Sequence, residues 1–372
     1  MSSTDIVQKL VRKDIRQMSA YQSASREQTI SSGCWLNANE AGGNESLTVL
    51  LEHLNRYPDF QPQQVVENYA RYAGVKPANV LVSRGADEGI ELLIRSFCQA
   101  QHDSILICPP TYGMYRVSAT AQGVNTISVP LTQEYQLDVE SISTYKGQCK
   151  VIFVCAPNNP TGTKIKQQDI FTLLEVFKED ALVVVDEAYI EFCSAQTMAP
   201  FIAQHPNLVI LRTLSKAFAL AGLRCGFTLA HNNVLAMMKK IIAPYPLSQP
   251  VATLAANALT PANIAIMHTR VTDILARKQR TLALLKNQPW IEHILPSATN
   301  FVLFKTKKAK SLFDFLNRKG ILIRNQSSQP TLDNCLRVSI GNEDEMKKFY
   351  CAVEEFNQVN LNQVSLLGSN KQ

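Results

Sequence analysis

The sequence predicts an α/β protein with a large domain on a mostly parallel sheet flanked by helices, followed by a small α+β domain. Three observations lead there. Short continuous apolar runs recur between about residues 79 and 212, and runs of that length, bounded by polar or turn residues, fit parallel strands buried on both faces. Segments of helical periodicity separate them, as strand–helix alternation requires. Finally, 372 residues are too many for one compact core, and the texture changes after a long helical stretch at about 261–286.

Residues 1–34 are polar with a weak helical pattern at Ile6, Leu10, Ile15 and Met18, and read as an arm. The strand Asn79-Val-Leu-Val-Ser83 leads into a helix with Ile90, Leu93, Ile94 and Phe97 on one side. Ser104-Ile-Leu-Ile-Cys108, ended by two prolines, and Asn125-Thr-Ile-Ser-Val129 are the next strands. Lys150-Val-Ile-Phe-Val-Cys155, a helix over 167–179, the strand Ala181-Leu-Val-Val-Val185 and a strand over 208–212 follow. A helix near 232–242 must stop at Ala243-Pro-Tyr-Pro246, where two prolines force an irregular link. Beyond the long helix, Asn300-Phe-Val-Leu-Phe304, a helix over 309–318, Gly320-Ile-Leu-Ile-Arg324, Cys335-Leu-Arg-Val-Ser-Ile340 and a helix near 343–356 make the small domain. The expected division is an arm at 1–34 packing with the small domain, a large domain at 35–275, a small domain at 276–358 and a frayed polar tail at 359–372.

Composition narrows the function. A net charge of +6 comes from scattered lysines and arginines with only short pairs such as Lys239-Lys240, which argues against nucleic acid and suits anionic small molecules. No run approaches a membrane span, and the N-terminus carries no apolar signal core. The nine cysteines lie apart without a Cys-x-x-Cys pair, several in apolar runs, so buried thiols in a cytoplasmic setting are expected. The six histidines show no ligand spacing, so no metal is expected.

The chemistry sits at strand ends. Lys216 lies in Thr213-Leu-Ser-Lys-Ala-Phe-Ala-Leu-Ala-Gly-Leu-Arg-Cys-Gly226, just past the run Leu208-Val-Ile-Leu211. A lysine there packs poorly but suits a Schiff base, since desolvation and nearby cations make its amine nucleophilic. Thr213, Ser215 and Arg224 flank it with two hydroxyls and a cation, the partners a phosphate wants. A surface lysine opening a loop is the commoner case for any one residue. Ser83-Arg-Gly-Ala-Asp-Glu-Gly89 joins strand to helix, so the amides of residues 86–88 form a phosphate cradle or simply a capped turn. Tyr112, past the strand end at Pro109-Pro-Thr-Tyr-Gly113, is placed to stack on a flat ring or to sit half-buried. Cys155-Ala-Pro-Asn-Asn-Pro-Thr-Gly162 breaks a strand into a rigid turn that would hold the Asn159 amide in fixed geometry. Asp186 ends the strand over 181–185, where a buried carboxylate needs a cation such as a protonated pyridine nitrogen or an arginine. All these groups fall at one edge of a parallel sheet, where ligands of open α/β folds bind.

The ordered set Asn159-Pro-Thr-Gly162, Asp186-Glu-Ala-Tyr189 and Ser215-Lys216, with Arg224 eight residues after the lysine, resembles the fold-type I pyridoxal-phosphate aminotransferases over nearly the whole chain. Leu36-Asn-Ala-Asn-Glu40, Arg56-Tyr-Pro58, Val82-Ser-Arg-Gly-Ala-Asp-Glu88 and Ala243-Pro-Tyr-Pro246 resemble the branch acting on histidinol phosphate. The resemblance implies pyridoxal 5′-phosphate as cofactor and a ping-pong transfer from L-histidinol phosphate to 2-oxoglutarate, giving imidazole acetol phosphate and glutamate. A phospho-amino-acid decarboxylase or aromatic aminotransferase of the same fold is the alternative. It implies that Lys216 binds the cofactor and shuttles the proton, Asp186 pairs with the ring nitrogen, Asn159 and Tyr189 hold the phenolic oxygen, and Tyr112 stacks. The phosphate would be held by the Ala86 and Asp87 amides, Thr213, Ser215, Arg224 and Tyr57 of the neighbouring subunit of a homodimer. Arg324 and Arg337 would bind the substrate anion, with Tyr21 and Asn39 lining the substrate side. The chain departs from the family where Asn39-Glu40 runs into Ala-Gly-Gly in place of a nearby proline.

Overall fold

The computed structural model describes residues 10–18, 33–43, 51 and 54–368. Its strands are β1 (Cys34–Trp35), β2 (Val80–Ser83), β3 (Ser104–Ile107), β4 (Asn125–Ser128), β5 (Val151–Cys155), β6 (Leu182–Asp186), β7 (Leu208–Thr213), β8 (Gly226–Ala230), β9 (Ile291–Ile294), β10 (Phe301–Thr306), β11 (Ile321–Leu322), β12 (Arg324–Asn325) and β13 (Cys335–Ser339).

Seven of them form one sheet in the order β2-β8-β7-β6-β5-β3-β4. All pairings are parallel except those of β8, which runs antiparallel between β2 and β7. Both faces of this sheet are covered. Alternate residues of β5, Ile152 and Val154 against Val151, Phe153 and Cys155, belong to two different apolar clusters. The strand ends are in register, Cys155 opposite Asp186 and Asp186 opposite Leu211, so the chemistry-bearing residues emerge together.

The antiparallel β8 is a strand the sequence patterning did not single out. It begins at Gly226, paired on one side with Ser83 and on the other with Thr213. A Cβ there would come within 2.4 Å of the Gly85 carbonyl carbon and the Ala86 nitrogen, so only glycine lets the strand start under the turn between β2 and its helix. The helices Gln63–Ala73, Met114–Gln122 and Gln249–Ala258 were likewise not singled out, their apolar faces being short.

The second sheet is antiparallel, in the order β12-β13-β10-β9, and β1 pairs in parallel with β11 beside it. The expected strand at 320–324 is split into β11 and β12 around Ile323. The long helix spans Pro261–Lys286, as its Thr260 cap and Pro261 at the first turn dictate. The final helix, expected to end near 356, continues to Gly368; no proline or glycine interrupts it before that residue. Among the described residues no single helix is long and apolar enough to cross a membrane, and the pair Gln249–Ala258 and Pro261–Lys286 that reaches the threshold together is bent by 72°.

Candidate active site

A cavity of about 620 Å³ opens at the carboxyl edge of the large sheet and is closed on its far side by β12 and β13. Ala86, Asp87, Tyr112, Asn159, Asp186, Tyr189, Thr213, Ser215, Lys216 and Arg224 line it, and so do Asn39, Arg324 and Arg337. Of the residues singled out in the sequence, Tyr57 stands apart, 80% exposed and stacked on Tyr245 with ring centroids 4.3 Å apart. Tyr21 lies outside the described residues.

At the sheet end, Asp186 is the last residue of β6 and only 3% exposed. It accepts a hydrogen bond from the Tyr115 hydroxyl at 2.7 Å and another from the Ala188 amide at 3.1 Å. Burial pushes its carboxyl up to about 6, and those two hydrogen bonds only partly offset it. Lys216 follows β7 by three residues, and its Nζ donates to the Ala38 carbonyl at 2.9 Å, 5.8 Å from the centre of the Tyr189 ring. Desolvation, with Arg337 adding to it, lowers its ammonium to about 8, while Glu40 and Asp87 pull the other way. An amine at that value is partly neutral near pH 7 and therefore nucleophilic.

The anion cradle forms where β2, β7 and β8 meet. The helix Ala86–Phe97 starts after Gly85, whose φ of 84° is open to glycine, and no side chain caps its first turn. The Thr213 hydroxyl donates to Ser215 Oγ at 2.9 Å, and Arg224 Nη1 lies 3.4 Å from the same oxygen. Arg224 Nη2 also reaches Asp87 Oδ2 at 3.4 Å, and Asp87 accepts from the Tyr112 hydroxyl at 2.9 Å. Free helix amides, two hydroxyls and a guanidinium thus converge on one corner, the donor set of a phosphate site.

The opposite wall is built from segments far apart in sequence. Arg337 Nη1 donates to Asn159 Oδ1 at 2.5 Å and Nη2 to the Asn37 carbonyl at 2.8 Å, with its guanidinium 5.2 Å from the Phe301 ring centre. Asn39 donates to the Tyr189 hydroxyl at 2.9 Å, and Ser339 and Asn300 hold its backbone. Asn159 follows the cis Ala156–Pro157 bond and precedes the cis Pro160, as a turn between two prolines.

Sequence reasoning left out Tyr115, Asn37 and Gln326. Tyr115, in the helix Met114–Gln122, meets the Tyr112 ring edge-on at 5.6 Å, and Gln326 lies two after Arg324, the strand spacing that puts residues on one side. The donors present fit a phosphorylated planar aldehyde: phosphate at the 85–87 corner, a carbonyl at Lys216, and a protonated ring nitrogen at Asp186, whose raised carboxyl marks a buried acid short of a cation. Among the described residues no group of three His, Cys, Asp or Glu side chains is placed to hold a metal.

Comparison with known proteins gives the family. A family model described as aminotransferase class I and II matches residues 17–353. A curated relative from Shigella sonnei, named histidinol-phosphate aminotransferase, is 51% identical over 346 residues, covering 93% of this chain and 97% of its own. The histidinol-phosphate aminotransferase structure from Clostridium acetobutylicum superposes with a TM-score of 0.76 at 26% identity, over 82% of this chain and 91% of that one. A structure of the same name from Sinorhizobium meliloti, in complex with pyridoxal-5′-phosphate, gives a TM-score of 0.83 at 24% identity over 94% and 98% of the two chains, a likeness of fold.

Proposed function

The chain belongs to the aminotransferase class I and II family, and from that premise we propose that it moves an amino group from L-histidinol phosphate to 2-oxoglutarate with pyridoxal phosphate as its cofactor. The observation that carries the substrate is the 51% identity, over 93% of the chain, to a relative named for that reaction. The reaction type rests on Lys216 and Asp186 facing one cavity.

Pyridoxal phosphate, when bound, supplies a conjugated cationic ring that absorbs the charge left when the substrate's α-proton departs. The chain's own residues do the rest. The Lys216 amine, lining the cavity with its ammonium lowered to about 8, would hold the cofactor's carbonyl and would serve as the base that moves the substrate's proton, help worth roughly 10²–10⁴-fold. Asp186 would keep the ring nitrogen protonated, Asn159 and Tyr189 would hold the phenolic oxygen, and Tyr112 would stack on the ring. The Ala86 and Asp87 amides, Thr213, Ser215 and Arg224 would bind the phosphate, with Tyr57 of a second copy completing it. The exposed stack of Tyr57 on Tyr245 supports that homodimer, since paired apolar rings are rarely left to solvent. Arg324 and Arg337 bind the anionic end of either substrate, with Asn39 and Tyr21 on the substrate side. A cytoplasmic location and the division at 35, 276 and 359 belong to the same reading.

The test is spectroscopic. With histidinol phosphate added, the absorbance of the bound cofactor should change in the wild type and return with 2-oxoglutarate, whereas Lys216→Ala should lose turnover by on the order of 10⁴-fold or more. Release of carbon dioxide from a phospho-amino acid, with histidinol phosphate left unconverted, would overturn the assignment.

A further inference from the structure

We propose that the side-chain amide of Gln326 is a specificity-determining group, a neutral donor that completes the substrate's anion site and favours a phosphate over a carboxylate. This rests on the substrate reading above. In the small sheet Arg324 pairs directly with Arg337, and the Gln326 amide nitrogen of the main chain donates to the Cys335 carbonyl at 2.9 Å, extending the same ladder. Residues two apart on a strand share a face, so Gln326 follows Arg324 to the cavity side, and all three residues line the cavity.

Gln326 is 7% exposed, yet its side-chain amide makes no hydrogen bond to any described residue. Its polar end opens on the cavity and is not among the sealed, unpartnered polar atoms of the described core. Asn158, buried nearby at 1% exposure, is fully engaged: its Nδ2 donates to the Pro110 carbonyl at 2.9 Å and its Oδ1 accepts from Thr111 at 3.1 Å. Asn39 is engaged in the same way through Tyr189 and Ser339. The Gln326 amide is a cavity-facing donor left for a ligand.

Charge and shape say which ligand. A carboxylate presents two coplanar oxygens, which one guanidinium fork can satisfy. A phosphate monoester presents three oxygens around a tetrahedral centre and needs a donor from a further direction. Part of the Arg337 fork is already bound to Asn159 and Asn37, so the third donor matters more. An amide supplies it without adding charge.

The experiment follows both half-reactions of the holoenzyme separately, histidinol phosphate and glutamate, and measures inhibition by inorganic phosphate. In Gln326→Leu the ratio of kcat/KM for histidinol phosphate to that for glutamate should fall about tenfold, the worth of one hydrogen bond to a charged group, carried mainly by KM. Gln326→Glu should lower that ratio further, and phosphate inhibition should weaken in both variants. A ratio that stays at the wild-type value, with both half-reactions slowed together or neither changed, overturns the proposal. Should the wild type accept glutamate but not histidinol phosphate, the substrate reading falls by itself. Phosphate inhibition then decides for Gln326, and equal inhibition of wild type and Gln326→Leu overturns it.

Discussion

Asp186 and Glu187 are neighbours in the chain, both buried carboxylates at the carboxyl end of β6, and they meet opposite electrostatic surroundings. Glu187 turns away from the cavity. Its Oε2 accepts from Arg212 Nε at 2.9 Å and from the Thr197 hydroxyl at 3.0 Å, and its Oε1 accepts from the Met198 amide at 2.6 Å. Arg212 in turn donates to Thr197 at 2.6 Å. Asp186 turns toward the cavity, meets a tyrosine and one amide, and is pushed up to about 6 by its burial. One side of the strand end is completed within the chain. The other is left short of a positive charge, and the fold thereby carries a standing preference for a cationic ligand there.

If the comparison is right, breaking the completed side should damage stability most. Arg212→Leu leaves the Glu187 carboxylate buried without its cation, and we expect unfolding in urea to show a loss of about 3–5 kcal/mol. Replacing both Arg212 and Glu187 by leucine should recover part of it, because the desolvation cost of that pair disappears while the buried Glu191 still loses the Arg212 charge. A single variant as stable as the wild type would mean that Glu187 finds another partner.

The incomplete side should respond in the reverse sense. The folded-state value of Asp186 lies near 6 against 3.8 for the unconstrained group, so the folded cofactor-free protein binds the extra proton. The contribution of Asp186 to its stability should therefore be fully present below about pH 4 and be lost as pH rises through 6, by on the order of 2–3 kcal/mol at most. Asp186→Asn should flatten that segment of the pH–stability curve and leave the cofactor-free protein at least as stable near neutrality. Turnover should fall on the order of 10²-fold, since the ring nitrogen loses the charge that holds its proton. Added cofactor should erase the pH dependence in the wild type alone. A parallel slope in Asp186→Asn would place the titrating group elsewhere.

The contrast also explains which parts were legible in the sequence. Lys216, Asp186 and Asn159 announce themselves because polar residues at the ends of apolar strands are locally anomalous. The long helix Pro261–Lys286 was legible to the residue, having a threonine cap, a first-turn proline and steady periodicity. Gly226 and β8 were not, because the reason for that glycine is the turn at Gly85, more than a hundred residues away along the chain. Tyr57 was given a place at a site that its own chain does not bring it to. Tyr115 has no local signal that sets it apart: its ring stacks on Phe153 at 4.7 Å, and only its hydroxyl crosses to Asp186.

Tyr115 offers the smallest change that reaches the Asp186 carboxylate. Its ring is fully buried, so Tyr115→Phe keeps the packing on Phe153 and removes only the 2.7 Å hydrogen bond to Asp186. That bond works against burial by favouring the ionised carboxylate, so without it the Asp186 value should climb above about 6. The loss of one hydrogen bond, about 1 kcal/mol, should then appear as weaker cofactor binding on the acid side of neutrality, where Asp186 must give up a proton to meet the ring. At higher pH, where Asp186 is ionised in both proteins, the difference in affinity should shrink. Equal cofactor affinity in Tyr115→Phe and wild type at every pH would show that Asp186 is tuned by its burial alone and that the tyrosine serves packing.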